Sequence, residues 1–114
     1  MTIREILSLV QGEILCGEDS LDQTQRAAFA SDLMSDVLTI KIDNFLLITG
    51  LANIQAIRTA EMSDVKCVLL VRGKEATDEM IELAKENGMV LIRTPFSMFK
   101  TSGILFSAGL SPVY

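Results

Sequence analysis

Short apolar runs alternate with stretches of helical period along most of this chain. Phe45–Ile48, Cys67–Val71 and Met89–Ile92 are continuous apolar segments of four or five residues. They are too short for helices and unbroken by polar positions, as strands covered on both faces are. Each leads into a short polar or glycine step and then a helical pattern. Glu13–Cys16 and Ala27–Ala30 are two further strand candidates, and Asn44–Thr49 frames the first of the longer runs.

The helices are marked by their ends. Thr2-Ile3-Arg4-Glu5 has the spacing of a capping box, after which Ile3, Ile6, Leu7 and Val10 share one face and Gly12 offers a stop. Gly17–Gln25 has no apolar period and is expected as a surface loop. Ser31 or Asp32 is positioned to cap a helix with Leu33, Val37 and Leu38 facing inward, flanked by Met34 and Ile40. Beyond Gly50, the residues Ile54, Ile57, Arg58 and Glu61 follow at helical spacing. Glu75, Asp78 and Glu79 gather at the start of the next helix and Lys85 near its end, an order that suits the helix dipole. Ala76, Met80, Leu83 and Ala84 form its buried stripe, and Asn87-Gly88 its C-cap. Thr94-Pro95 reads as N-cap and first residue of the last helix. The pattern predicts one α/β domain over residues 1–114, a three-layer arrangement with a mainly parallel central sheet flanked by helices.

Composition narrows the function. The 114 residues are 49% hydrophobic and the mean hydropathy is +0.38. Asp43, Arg58, Asp64, Lys66 and Arg72 interrupt every apolar stretch well short of the roughly 20 residues of a membrane span. The surplus points instead to a doubly covered sheet or a subunit interface. Ten basic residues, scattered singly among fifteen acidic ones, argue against nucleic acid as partner. No basic segment followed by an apolar one opens the chain, so no signal peptide and a cytoplasmic location are expected. Cys16 and Cys67 are expected as free thiols.

The chain contains no histidine, and the serines and cysteines have neither a histidine partner nor a G-x-S-x-G elbow. That argues against an enzyme. Asp32 and Asp36 lie at i, i+4 spacing, but two carboxylates suit a helix start better than a dedicated cation site. No metal and no cofactor is expected.

What remains is an anion site. In a parallel sheet, Thr49-Gly50, Arg72-Gly73 and Arg93-Thr94 end neighbouring strands at the carboxyl edge, where ligands of open α/β sheets bind. Thr49-Gly50 offers backbone N–H groups to an anion, or is there for backbone shape alone. Arg72 and Arg93 suit a phosphate or carboxylate, or pair with surface acids such as Glu75, Asp78 and Glu79.

The run from Asn44 to about Gly109 resembles a DRTGG domain. The residues that carry the likeness are Phe45–Gly50, Val68–Gly73, Ile81–Gly88 and the closing Arg93–Ser102, in which Pro95-Phe96 is followed by the hydroxyls of Thr101 and Ser102. This family is an α/β module attached to some phosphate acetyltransferases and CBS-containing pyrophosphatases, and related to the N-terminal domain of HPr kinase/phosphorylase. Where members often carry Gly-Asp-Arg, this chain has Gly50-Leu51-Ala52, and a second glycine pair is reduced to Gly73-Lys74. The resemblance implies a regulatory, often dimeric, non-catalytic module. It also suggests that the last helix folds over the crevice and brings Thr101 and Ser102 to the site.

Two functions follow as expectations. One is a ligand-sensing module that binds an anionic small molecule, such as a nucleotide or other phosphorylated metabolite, at Thr49, Gly50, Arg72, Gly73, Arg93, Thr94, Thr101 and Ser102. The other is a protein-interaction or dimerisation subunit without a small ligand. A homodimer is expected in either case. Its interface would include part of the segment carrying Phe96, Met98, Phe99, Ile104, Leu105, Phe106 and Leu110, more large apolar residues than one helical face buries internally.

Overall fold

The three continuous apolar runs become adjacent strands at the centre of one sheet. The computed structural model describes residues 1–114. Its elements are α1 (Ile3–Leu9), β1 (Glu13–Cys16), β2 (Ala27–Ala30), α2 (Met34–Val37), β3 (Phe45–Thr49), α3 (Ile54–Met62), β4 (Cys67–Leu70), α4 (Asp78–Glu86), β5 (Val90–Arg93), α5 (Met98–Ser107) and β6 (Ser111–Pro112). The strand order is β1-β5-β4-β3-β2-β6.

The sheet is mixed, which corrects the expectation of a mainly parallel one. Pairings β2–β3, β3–β4, β4–β5 and β2–β6 are parallel, whereas β1 runs antiparallel to β5 with Glu13 opposite Arg93. The reason lies in the connections. Parallel neighbours need a crossover long enough to return the chain, and α2, α3, α4 and α5 supply one each. The segment after β1 holds only a 3-10 turn, Glu18–Ser20, so β1 is free to join the sheet edge in the opposite direction. Two glycines hold it there. A Cβ on Gly12 would meet Leu7 Cδ2 at 2.7 Å, and one on Gly17, whose φ is +95°, would meet Val90 Cα at 2.8 Å.

Strand alternation sorts the core into two layers. Phe45, Leu47, Val68, Leu70 and Leu91 pack against Met34 and Val37 of α2, Ala56, Ile57 and Ala60 of α3, and Met80 and Ala84 of α4. On the other face Leu46, Ile48, Cys67, Leu69, Val90 and Ile92 pack against Ile3, Ile6 and Val10 from the α1 side and Leu105 and Leu110 from the α5 side. Every residue of β3 and β4 is buried. That explains why these strands carry no polar alternation. None of the helices is long and apolar enough to cross a membrane.

Several local expectations change. The capping box at Thr2 and Glu5 is present, but α1 ends at Leu9 and Gln11, not Gly12, takes the left-handed turn at φ +52°. Thr94-Pro95 does not start α5. Ser97 is the cap, accepting the Lys100 N–H at 3.1 Å. Met34, Val37 and Ile40 turn inward, while Leu33 and Leu38 are exposed, because α2 is a single turn starting two residues after Asp32. Gln25, at the end of the expected surface loop, is 1% exposed, with neither side-chain amide atom hydrogen-bonded.

Candidate functional site

Asp32, two residues beyond the end of β2, reaches across to the end of β3. One of its carboxylate oxygens, Oδ1, accepts the Gly50 N–H at 2.6 Å and the Thr49 hydroxyl at 3.0 Å. The same hydroxyl accepts the Leu51 N–H at 3.1 Å. The donors of Thr49-Gly50 expected to meet an anion thus already hold one, and the chain supplies it. From its place in the sequence Asp32 reads as a helix-start residue or, with Asp36, as half of a two-carboxylate cation site, and neither reading pairs it with Thr49. The signal was nevertheless there: in parallel neighbouring strands, the residues just past both carboxyl ends lie side by side.

Arg93 shows the same arrangement at the end of β5. Its Nε and Nη2 lie 3.0 and 2.9 Å from Glu13 Oε2, and its Nη1 lies 3.9 Å from Glu75 Oε1. The Glu13 pair follows from the register of β1 on β5, which spacing along the chain cannot show. Glu75 is the looser partner, with its side chain 86% exposed.

Arg72 and Gly73 form a left-handed turn after β4, at φ +59° and +66°. Their N–H groups are spent on the β5–α5 connection, donating to Phe96 O at 2.7 Å and Thr94 O at 2.8 Å. The Arg72 side chain is exposed and takes part in no salt bridge, so its guanidinium is available. Thr94 is fully buried. Its hydroxyl donates to Val10 O at 2.6 Å and accepts the Phe96 N–H at 3.2 Å, tying the end of α1 to the lead-in of α5.

The structure therefore divides the expected site. Gly73, Arg93 and Thr94 line one polar depression of about 380 Å³, together with Gln11, Glu13, Glu75 and Pro95. Thr49 and Gly50 lie two strands from β5 and do not line it. Thr101 and Ser102 lie elsewhere still. Thr101 is fully buried on α5 with its hydroxyl unpartnered. Ser102 lines an apolar pocket of about 270 Å³ between α5, β2 and β6. That pocket has no counterpart in the sequence reading, because β6 is only two residues long and contains a proline.

No three Cys, Asp or Glu side chains converge as a metal site. Cys16 and Cys67 are free and buried. Burial pushes both thiols up from their ordinary pKa, Cys67 the further, with its neighbour Cys16 adding to the effect.

Among curated proteins none matches this chain. A crystal structure of the CBS and DRTGG domains of the regulatory region of Clostridium perfringens pyrophosphatase, complexed with the activator diadenosine tetraphosphate, is similar with a TM-score of 0.74 at 19% identity. The match covers 98% of this chain and 48% of that one, so this chain spans about half of that regulatory region. At such identity the likeness establishes the fold. The sequence itself goes further: the family model of the DRTGG domain matches residues 5–108, nearly the whole length, and this chain belongs to the DRTGG domain family.

Proposed function

We propose that this chain is a non-catalytic regulatory module that senses an anionic small molecule of the nucleotide or phosphorylated-metabolite class. Family membership supports the regulatory part, as does the similar fold within a pyrophosphatase regulatory region crystallised with a nucleotide activator. The observation that carries the chemistry is Arg93. It lies in a polar depression, firmly held by Glu13 and loosely by the exposed Glu75 at 3.9 Å, while the unpaired Arg72 belongs to the adjacent turn. An incoming phosphate displaces Glu75 and gains Arg93, with Arg72 closing over it.

A thermal-shift and calorimetric screen of nucleotides, phosphorylated metabolites and inorganic phosphate tests the reading. Ligand at 100 times its Kd adds about 2.7 kcal/mol of stability. Arg72→Ala or Arg93→Ala is expected to weaken binding by about 1.5–3 kcal/mol, the range for a hydrogen bond to a charged group. Glu75→Gln removes the competing carboxylate and strengthens it. Equal affinity in all three variants, or a screen without a hit, overturns the anion site.

A second reading, that the module also acts through self-association, is favoured by the outer face of α5. Phe99 and Phe106 are 79% and 67% exposed, and between them Gly103 has open space around the position of a Cβ. Residues 99, 103 and 106 share one helical face, and a solvent-facing apolar stripe of this kind marks an interaction surface. We infer a homodimer formed by this stripe. Light scattering should give twice the monomer mass, and Phe99→Ser/Phe106→Ser should halve it; a wild-type monomer at high micromolar concentration ends this reading.

A further inference from the structure

The chain winds in one direction from β2 through β3 and β4 to β5, with α2, α3 and α4 all on one face. Then α5 returns over the opposite face and sets β6 on the far side of β2. The winding therefore reverses between β2 and β6. In open α/β sheets such a reversal parts the connections and leaves a crevice, where ligands bind. The 270 Å³ pocket lies beside this reversal, over the sheet face beneath α5, and shares no lining residue with the depression at Arg93.

Its shape follows from the register. Ala28 and Ala30 stand opposite Leu46 and Ile48, so the sheet surface under α5 loses its large side chains at β2. Ser102 of α5 faces this gap, and Phe106, Ser111 and Tyr114 stand at its rim. Eight of the eleven lining residues are hydrophobic, and no Asp, Glu, Lys or Arg is among them. A charged group seated here would lose its water without gaining a counter-ion. The volume falls just below the ordinary range of about 300–1,000 Å³ for small-molecule pockets, room enough for one or two fused rings. The side-chain hydroxyls of Ser102 and Ser111 can donate to or accept from a ring edge.

We propose that this pocket is a second binding site, independent of the anion site, for a neutral aromatic or heteroaromatic ring. The ring lies between Ala28 and Ala30 of the sheet and α5, and its polar edge meets Ser102 or Ser111. A small neutral metabolite, or the ring portion of a larger one whose charged part stays outside, has this chemistry.

Amide chemical-shift mapping tests it on the intact chain, with indole and adenosine as neutral probes and benzoate as the charged control. Saturable shifts centred on Ala28, Ala30, Ser102 and Ser111 are expected with at least one neutral probe, in the weak range usual for a compound of that size. Benzoate should produce none there. Ala28→Leu fills the gap and should weaken the neutral probe about tenfold or more while the thermal midpoint holds; Ser102→Leu serves from the helix side if Ala28→Leu does not fold. No saturable shift at these residues overturns the proposal. So does unaltered binding in a folded filled variant, or probe binding that appears only when a dimer dissociates, which would assign the pocket to a second copy.

Discussion

Replacing Asp32 by alanine should loosen the carboxyl edge, although Asp32 itself is exposed. Its Oδ1 holds the Gly50 N–H at 2.6 Å and the Thr49 hydroxyl at 3.0 Å. Each is a hydrogen bond to an ionised acceptor, worth about 1.5–3 kcal/mol where sheltered. Solvent around Asp32 reduces both. Thr49, however, is fully buried, so without Asp32 its hydroxyl hydrogen is left without a partner, at a cost of about 1–3 kcal/mol. Together these give a loss of about 2–3 kcal/mol for Asp32→Ala. Asp32→Asn, which keeps an acceptor oxygen without the charge, should lose about half as much. Urea unfolding followed by circular dichroism measures it, with a lower midpoint and unchanged slope expected. A double-mutant cycle with Thr49→Val isolates the Thr49–Asp32 bond and should show coupling of about 1 kcal/mol. If Asp32→Ala lies within about 0.5 kcal/mol of the parent, the size of an ordinary surface substitution, the internal-anion argument fails. Asp32→Ala also frees the Thr49 hydroxyl and the Gly50 N–H, and phosphate binding gained there would show that they form an anion site in their own right.

Thr101→Val keeps the shape of a fully buried side chain whose hydroxyl has no partner, and should be neutral or stabilising by up to about 2 kcal/mol; destabilisation in chemical denaturation would show that the hydroxyl is satisfied. Cys16 and Cys67 are buried with raised thiol pKa, so neither should react with an aromatic disulfide reagent at pH 8 until the chain unfolds, and rapid native-state labelling of either refutes this. Glu5 has its pKa lowered by its hydrogen bonds to Thr2. Its contribution to α1 is therefore complete above the unfolded-state pKa and is lost as pH falls through the folded one. Amide protection factors in α1, taken relative to the intrinsic exchange rate at each pH, should fall on acidification in the parent chain, and a Glu5→Gln variant should lack that pH dependence.

Local patterns were sufficient for the parts of the fold that close over short distances. The capping box of Thr2 and Glu5 spans three residues, and the continuous apolar runs of β3, β4 and β5 can be nothing but doubly covered strands once their length rules out helices. Their order as neighbours followed, because each is joined to the next by one amphipathic helix. The likeness to the family was legible for a similar reason, since the residues that prompt it, Phe45–Gly50, Val68–Gly73, Ile81–Gly88 and Arg93–Ser102, are short contiguous segments.

What lay beyond the sequence is everything set by contacts between distant residues. Thr94 and Val10 are 84 positions apart, Arg93 and Glu13 80, and Thr49 and Asp32 17; no periodicity encodes such pairs. The same holds for the antiparallel entry of β1, where a loop without a helix left the direction open. Two alanines in β2 carry no signal alone. They become the floor of a pocket only when α5 crosses the sheet and places Ser111–Pro112 on the far side of β2. Sequence determined the longer strands and helices and most of the core residues they carry. Tertiary structure decided which polar groups are already spent on one another, and so which remain free to bind.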